Sequence, residues 1–316
     1  MKQKDELYQE FLELLMQGLK ERLGEEYNIQ LNSILKNNSI HMDGIVIRKG
    51  EERITPNIYV EEFYEDYENE VPIEDIIDRI TYIYFEKIGE QSEFHLEFTY
   101  DKMKEHIMYR LVNYEKNKEL LKSSPFIKIL DLAVTFHCMV QETEDSIGTI
   151  RITNEYLNLW GITTKELFQQ AKQNTTRLLP PVIRKMDDLL KEIIQSDELQ
   201  KWKEEGEAVF TEDQLQQIED GETPMYVLSN VKGINGATCL IYPSVIRNFA
   251  KILKSDLYIL PSSIHETILL PTSHDLSVEE LKDMVVEINQ TQVPYEEVLS
   301  DHIYYYSISK NKLTVL

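Results

Sequence analysis

Leu7, Phe11, Leu14, Leu15, Leu19 and Leu23 recur at helical spacing, which predicts an amphipathic helix over 5–23 with Gly24 as its stop. The pattern then changes period. Ile29 and Leu31, followed by Ile40 and Met42 with Asn37-Asn38 between, predict a β-hairpin that runs on through Ile45-Val46-Ile47. A turn at Lys49-Gly50-Glu51 leads to a returning strand over 55–60. Pro72 opens a helix to about Ile88, with Ile73, Ile76, Ile77, Ile80, Ile83 and Tyr84 as its apolar stripe. A long helix is predicted from Thr99 or Tyr100 to about Leu121, through Met103, Ile107, Leu111 and Tyr114.

Pro125 marks the expected boundary between an N-terminal lobe, 1–124, and a C-terminal lobe, 125–316. The second lobe begins with one strand over 126–140. A compact unit follows at 147–174: a strand, a short helical turn with Tyr156, Leu157 and Trp160, a break at Gly161, a cap at Thr163, and a helix whose stripe is Leu167, Phe168 and Ala171. The same order of parts occurs near residues 57–88 and more loosely toward the C-terminus. Leu178-Leu179-Pro180-Pro181 reads as a kinked link and 182–194 as a helix. Residues 196–223, rich in Glu, Gln and Asp, read as a surface insertion. Beyond them the pattern predicts a hairpin turned at Asn235-Gly236 into a strand over 237–242, and a helix from Pro243. Two short strands joined by Pro261–Glu266, a helix over 278–289, a helical turn over 294–299 and a strand of tyrosines over 302–308 complete it. The expected fold is α+β, with mainly antiparallel sheets built from recurring strand–hairpin–helix units in two lobes.

Composition sharpens the picture in one direction. Fifty-six acidic against 33 basic residues give a net charge of -23, so phosphate backbones and anionic lipid surfaces are repelled, and neither nucleic acid nor a membrane is the expected partner. A carboxylate-rich surface imitating nucleic acid is a weaker reading of the same numbers. No apolar run approaches the roughly 20 residues needed to span a bilayer, and the first residues lack a signal-type apolar segment. Cys138 and Cys239 both lie in apolar runs, as small core residues of a reducing compartment do, so a cytoplasmic location is expected.

Candidate chemistry is sparse. The loop Pro261–Glu266 gathers Ser262, Ser263, His265 and Glu266 between two apolar strands, and loops so placed often carry contacts. With Asp301 or His302 brought in from the C-terminal strand, it would be the site of a hydrolase; without them it is a ligand- or partner-contacting loop, or a plain turn. Groups adjacent in sequence cannot line up hydroxyl, imidazole and carboxylate, and no Gly-x-Ser-x-Gly elbow occurs. The seven histidines are scattered. The acidic run Glu61, Glu62, Glu65, Asp66, Glu68, Glu70 lacks the alternation and central glycine of a calcium loop, so no metal is expected. Phosphate-binding glycine motifs are absent, and no cofactor is expected. Asn113, Asn117 and Asp131 are the polar residues expected inside, with Asp131 hydrogen-bonded to an Asn, to Arg110 or to a helix N-terminus.

Several phrases stand in one order: Asn113-Tyr114-Glu115-Lys116-Asn117, Leu130-Asp131-Leu132-Ala133, Leu159-Trp160-Gly161, Leu257-Tyr258-Ile259-Leu260-Pro261-Ser262-Ser263 and Ser300-Asp301-His302. Together they resemble the domain-of-unknown-function 5688 family of clostridial gut bacteria, from the first hairpin to the tyrosine strand. The resemblance implies a bacterial, intracellular protein with one family-long architecture and assigns no activity, so it transfers no catalytic residue. The expected function is a non-catalytic binding or regulatory module acting through protein contacts; the alternative is a hydrolase using the Ser262–Glu266 loop with Asp301 and His302.

Overall fold

The computed structural model describes residues 2–50, 57–88, 98–143, 147–189, 225–261, 263–273 and 276–316. The predicted insertion at 196–223 and Ser262 lie outside them. The chain divides into two compact units, Met1–Thr99 and Tyr100–Leu316. The boundary expected at Pro125 falls inside the second unit instead, because the strands on either side of it pair with one another.

The first unit holds helix α1 (Lys2–Leu23), strands β1 (Tyr27–Leu35), β2 (His41–Lys49) and β3 (Ile58–Tyr59), and helices α2 (Glu61–Glu68) and α3 (Ile73–Ile83). The strands form an antiparallel sheet in the order β1-β2-β3. Phe11, Leu15 and Leu19 of α1 pack with Ile45 and Ile47 of β2 and with Ile76 and Ile80 of α3. The leucine stripe read from the sequence is therefore the seam of this core. Each such side chain, taken fully out of water, contributes roughly 1.5–3 kcal/mol.

The second unit carries two antiparallel sheets. One comprises β4 (Ile107–Asn113), β5 (Phe126–Ile129), β6 (Leu132–Glu142) and β7 (Ile147–Arg151), with β4 along one side of the long β6 and β5 and β7 sharing its other side. The other comprises β8 (Pro181–Lys185), β9 (Tyr226–Asn230), β10 (Leu257–Leu260), β11 (Thr267–Pro271), β12 (Tyr304–Ser307) and β13 (Lys312–Val315), in the order β13-β12-β10-β11-β9-β8. Helices α4 (Tyr100–Met103), α5 (Lys118–Lys122), α6 (Asn154–Trp160), α7 (Thr164–Leu178), α8 (Val245–Leu253) and α9 (Val278–Thr291) fill in around them. Capping boxes start α7 (Thr163 with Glu166) and α9 (Ser277 with Glu280), and Gly161, at φ 66°, lets the chain leave α6 in the left-handed conformation. The unit read at 147–174 is thus β7-α6-α7, and β3-α2-α3 repeats its layout in the first unit.

Alternation divides the faces. Leu257, Ile259 and Leu269 join Tyr109, Phe136, Leu167 and Tyr304 in one large core, while Leu260 and Leu270 point the other way, onto Leu281 and Val285 of α9. The six-stranded sheet is therefore covered on both faces. No helix of the described residues is long and apolar enough to cross a membrane.

Four expectations are corrected. Residues 99–121 are not one helix: after α4 the chain enters β4, whose register against β6 runs from Ile107↔Cys138 to Asn113↔Leu132. Met103, Ile107 and Leu111 match helical spacing, but Ile107, Tyr109 and Leu111 equally share one face of a strand, and tertiary pairing decides. The strand over 126–140 is two strands, broken at Leu130-Asp131, where Leu130 has a φ of 58°. Residues 181–185 form a strand, not the start of a helix, since Pro180 and Pro181 favour extended backbone; the strand expected over 237–242 is replaced by a 3₁₀ segment, Gly236–Ile241.

The outer edge of β4 is closed by side chains. The Thr175 hydroxyl accepts the Tyr109 N–H (3.0 Å), the Thr238 hydroxyl accepts the Leu111 N–H (3.3 Å), and Asn174 Nδ2 donates to the Ile107 carbonyl (2.9 Å). Buried strand edges need such partners. Thr175→Val keeps the shape but orphans the Tyr109 N–H, so the expected loss of stability is about 1–3 kcal/mol. Chemical denaturation of the parent and the variant would measure it.

Candidate functional site

The left-handed turn at Leu130 places Asp131 between β5 and β6, where the C-terminal run 298–304 passes. Ser300 Oγ donates to Asp131 Oδ2 at 2.5 Å, His302 Nδ1 stands 3.1 Å from the same oxygen, and Tyr304 Oη donates to Asp131 Oδ1 at 2.8 Å. The expected partners, an Asn, Arg110 or a helix N-terminus, are therefore replaced by two hydroxyls and an imidazole. Ser300 and Tyr304 are fully buried and His302 is exposed. Burial, reinforced by the Asp131 carboxylate, pushes the Tyr304 phenol up, so it remains a donor.

A second layer of amides holds the same run. Asn113 Nδ2 donates to the Leu299 carbonyl (3.0 Å), and its Oδ1 accepts the Lys116 N–H (2.9 Å). Asn117 Nδ2 donates to the Asn113 carbonyl (2.9 Å). Asn289 Nδ2, from α9, reaches the Ser300 carbonyl (2.9 Å) and Asp301 Oδ1 (3.0 Å). Lys116 Nζ sits 3.2 Å from Asp301 Oδ2. Burial alone would raise the Asp301 carboxyl, but the Asn289 hydrogen bond and the Lys116 ammonium outweigh it and hold the group below the usual carboxylate range. Asn113 and Asn117, expected one turn apart on a helix, instead end β4 and precede α5.

The loop after β10 is tied elsewhere. Ser263 is buried, and its hydroxyl accepts the His265 N–H at 3.0 Å. His265 Nδ1 lies 3.3 Å from the Asn235 nitrogen, and Nε2 lies 3.4 Å from Glu297 Oε1. The Ile264 N–H donates to the Glu297 carbonyl (2.8 Å), and Glu266 is exposed. Among the described residues no hydrogen bond joins this loop to Asp301 or His302. Asp131, Asp301 and His302 are thus brought together with Asn113 and Asn117, and the loop stands apart.

The order of groups bears on the chemistry. Acyl transfer by a serine needs an imidazole between hydroxyl and carboxylate. Here the carboxylate is in the middle, and the direct Ser300 Oγ to His302 Nδ1 distance is 3.5 Å. Burial pushes the thiols of Cys138 and Cys239 up to about 12, which keeps them protonated and unreactive. Among the described residues no group of three His, Cys, Asp or Glu side chains could hold a metal ion. What the arrangement can do is brace: it pins the C-terminal run to the β5–β6 turn.

A different feature is open. Pro181 and Ile183 of β8, Tyr226 of β9, and Val245, Phe249 and Ile252 of α8 line a groove of about 910 Å³ together with the charged Arg184, Lys185 and Asp188. Ile252 is 75% exposed at its rim. Sequence reasoning missed this groove because it took 182–194 for a helix. It also missed Ser300, His302 and Tyr304 as partners of Asp131; the signal available was that a half-buried carboxylate requires donors.

No curated protein and no solved structure matches the chain significantly. The family model that matches covers residues 8–308 of the 316, and the chain therefore belongs to the family of unknown function DUF5688.

Proposed function

We propose that the protein is an intracellular, non-catalytic binding module that recognises a partner protein along the groove between β8 and α8. The observation that carries this reading is the edge strand: β8 ends its sheet with β9 as its one neighbour among the described residues, beside a groove of about 910 Å³ lined by six apolar or aromatic and three charged side chains. An extended segment of a partner, adding a strand to β8 and seating apolar side chains against Phe249 and Ile252, fits that chemistry. The order of groups at Asp131, with the carboxylate rather than the imidazole in the middle, supports a bracing role there.

The test is a photo-crosslinking residue placed at Ile252 in the full chain inside its own cells, with the same residue at Leu159 as control. Both positions are 75% exposed. The expected result is one cross-linked protein from Ile252, none from Leu159, and loss of binding by that protein on Ile252→Glu. Equal cross-linking from both positions, or an esterase activity abolished by Ser263→Ala, would overturn the reading.

A further inference from the structure

One face of the four-stranded sheet, with Tyr109 and Phe136, belongs to the large core. Alternation sends Arg110 of β4, Thr135 and His137 of β6, and Thr149 and Arg151 of β7 to the other. The register sets Arg110 opposite Thr135 and Arg151 opposite His137. Since β4 and β7 flank β6 and the two pairs are offset by two residues, the two arginine backbones stand about 12 Å apart, and both guanidinium groups act on the imidazole of His137.

The charges here are not balanced in the way charges elsewhere in the chain are. With 56 acidic residues to 33 basic, a buried arginine would be expected to find a carboxylate. Arg110 Nη2 instead donates to the Thr149 hydroxyl at 2.9 Å, and its Nε is shut off from solvent without a partner. No carboxylate pairs with Arg110 or Arg151 among the described residues. Burial is the one influence that lowers either guanidinium, Arg110 to about 10. Burial, and then the two arginines, hold His137 well below the usual histidine range. Arg110, His137, Thr149 and Arg151 each keep part of their surface open.

We propose that this face is an oxyanion site, in which a phosphate group, free or as a monoester, sits between Arg110 and Arg151 and takes the donors that the protein leaves unspent. Two guanidinium forks suit a tetrahedral, multiply charged anion, and the anion relieves the repulsion between them.

Inorganic phosphate, and glycerol phosphate in a parallel arm, would be titrated into the full chain at constant ionic strength with chloride as control, followed by calorimetry and thermal unfolding. The expected result is saturable binding and a rise in Tm that chloride does not produce. Arg151→Gln is expected to weaken binding at least tenfold. In phosphate-free buffer the same variant should melt no lower than the parent, because a like charge has been removed; a purely structural arginine would lower Tm in every buffer. Binding of both probes assigns the site to phosphate groups generally, and binding of inorganic phosphate alone to the free anion. No saturable effect of either probe, binding undiminished in Arg151→Gln, or a Tm lowered equally in every buffer would overturn the proposal.

Discussion

Asp131→Ala is expected to lower the unfolding free energy of the second unit by about 3–5 kcal/mol. The reason is what remains behind. Ser300 and Tyr304, both fully buried, lose their acceptor together, and each stranded hydroxyl costs about 1–3 kcal/mol. His302 is exposed and turns to water at little cost. Asp131→Asn keeps an oxygen for Tyr304 and should lose less, about 1–2 kcal/mol. The midpoint of urea unfolding should fall with the slope unchanged. An unaltered midpoint would mean that the carboxylate serves something other than the fold.

Gly236→Ala is the other large effect, and its origin is steric. Gly236 begins the 3₁₀ segment that follows Asn235, itself left-handed at φ 53°. A Cβ at 236 would fall on the Ser229 hydroxyl and the His265 carbonyl oxygen, and 2.8 Å from the Asn230 nitrogen. Two of the three are backbone and cannot rotate away. The β9 strand and the loop before β11 would have to separate, so the expected loss is about 3 kcal/mol or more, at or beyond the usual cost of overpacking. Soluble expression and thermal unfolding would report it. A variant that melts with the parent would show that this close approach is relaxed in solution.

The sequence made the first unit readable because its helices are long and their stripes uninterrupted: Phe11, Leu15 and Leu19 could serve no other geometry. β4 was hidden for the opposite reason. Ile107 to Val112 is buried on both faces at almost every position, so it carries no alternation, and only its pairing with β6 identifies it. Leu178-Leu179-Pro180-Pro181 reads as a kinked link, yet Pro181 also opens a strand. Of the polar residues expected inside, Asn113 and Asn117 are buried and Asp131 is half-buried. Their long-range partners were not legible, because Leu299 lies 186 positions from Asn113, and Ser300 and Tyr304 lie 169 and 173 positions from Asp131, and nothing local announces contacts of that range. The groove beside β8 is equally a product of tertiary packing.

The most direct test of the brace at Asp131 is a double-mutant cycle with Tyr304, read by urea unfolding. Tyr304→Phe alone should cost about 1.5–3 kcal/mol, since it removes a hydrogen bond to a charged acceptor. In the Asp131→Ala background the same substitution should cost nothing, or restore stability by removing a stranded hydroxyl. An equal loss in both backgrounds would contradict the account.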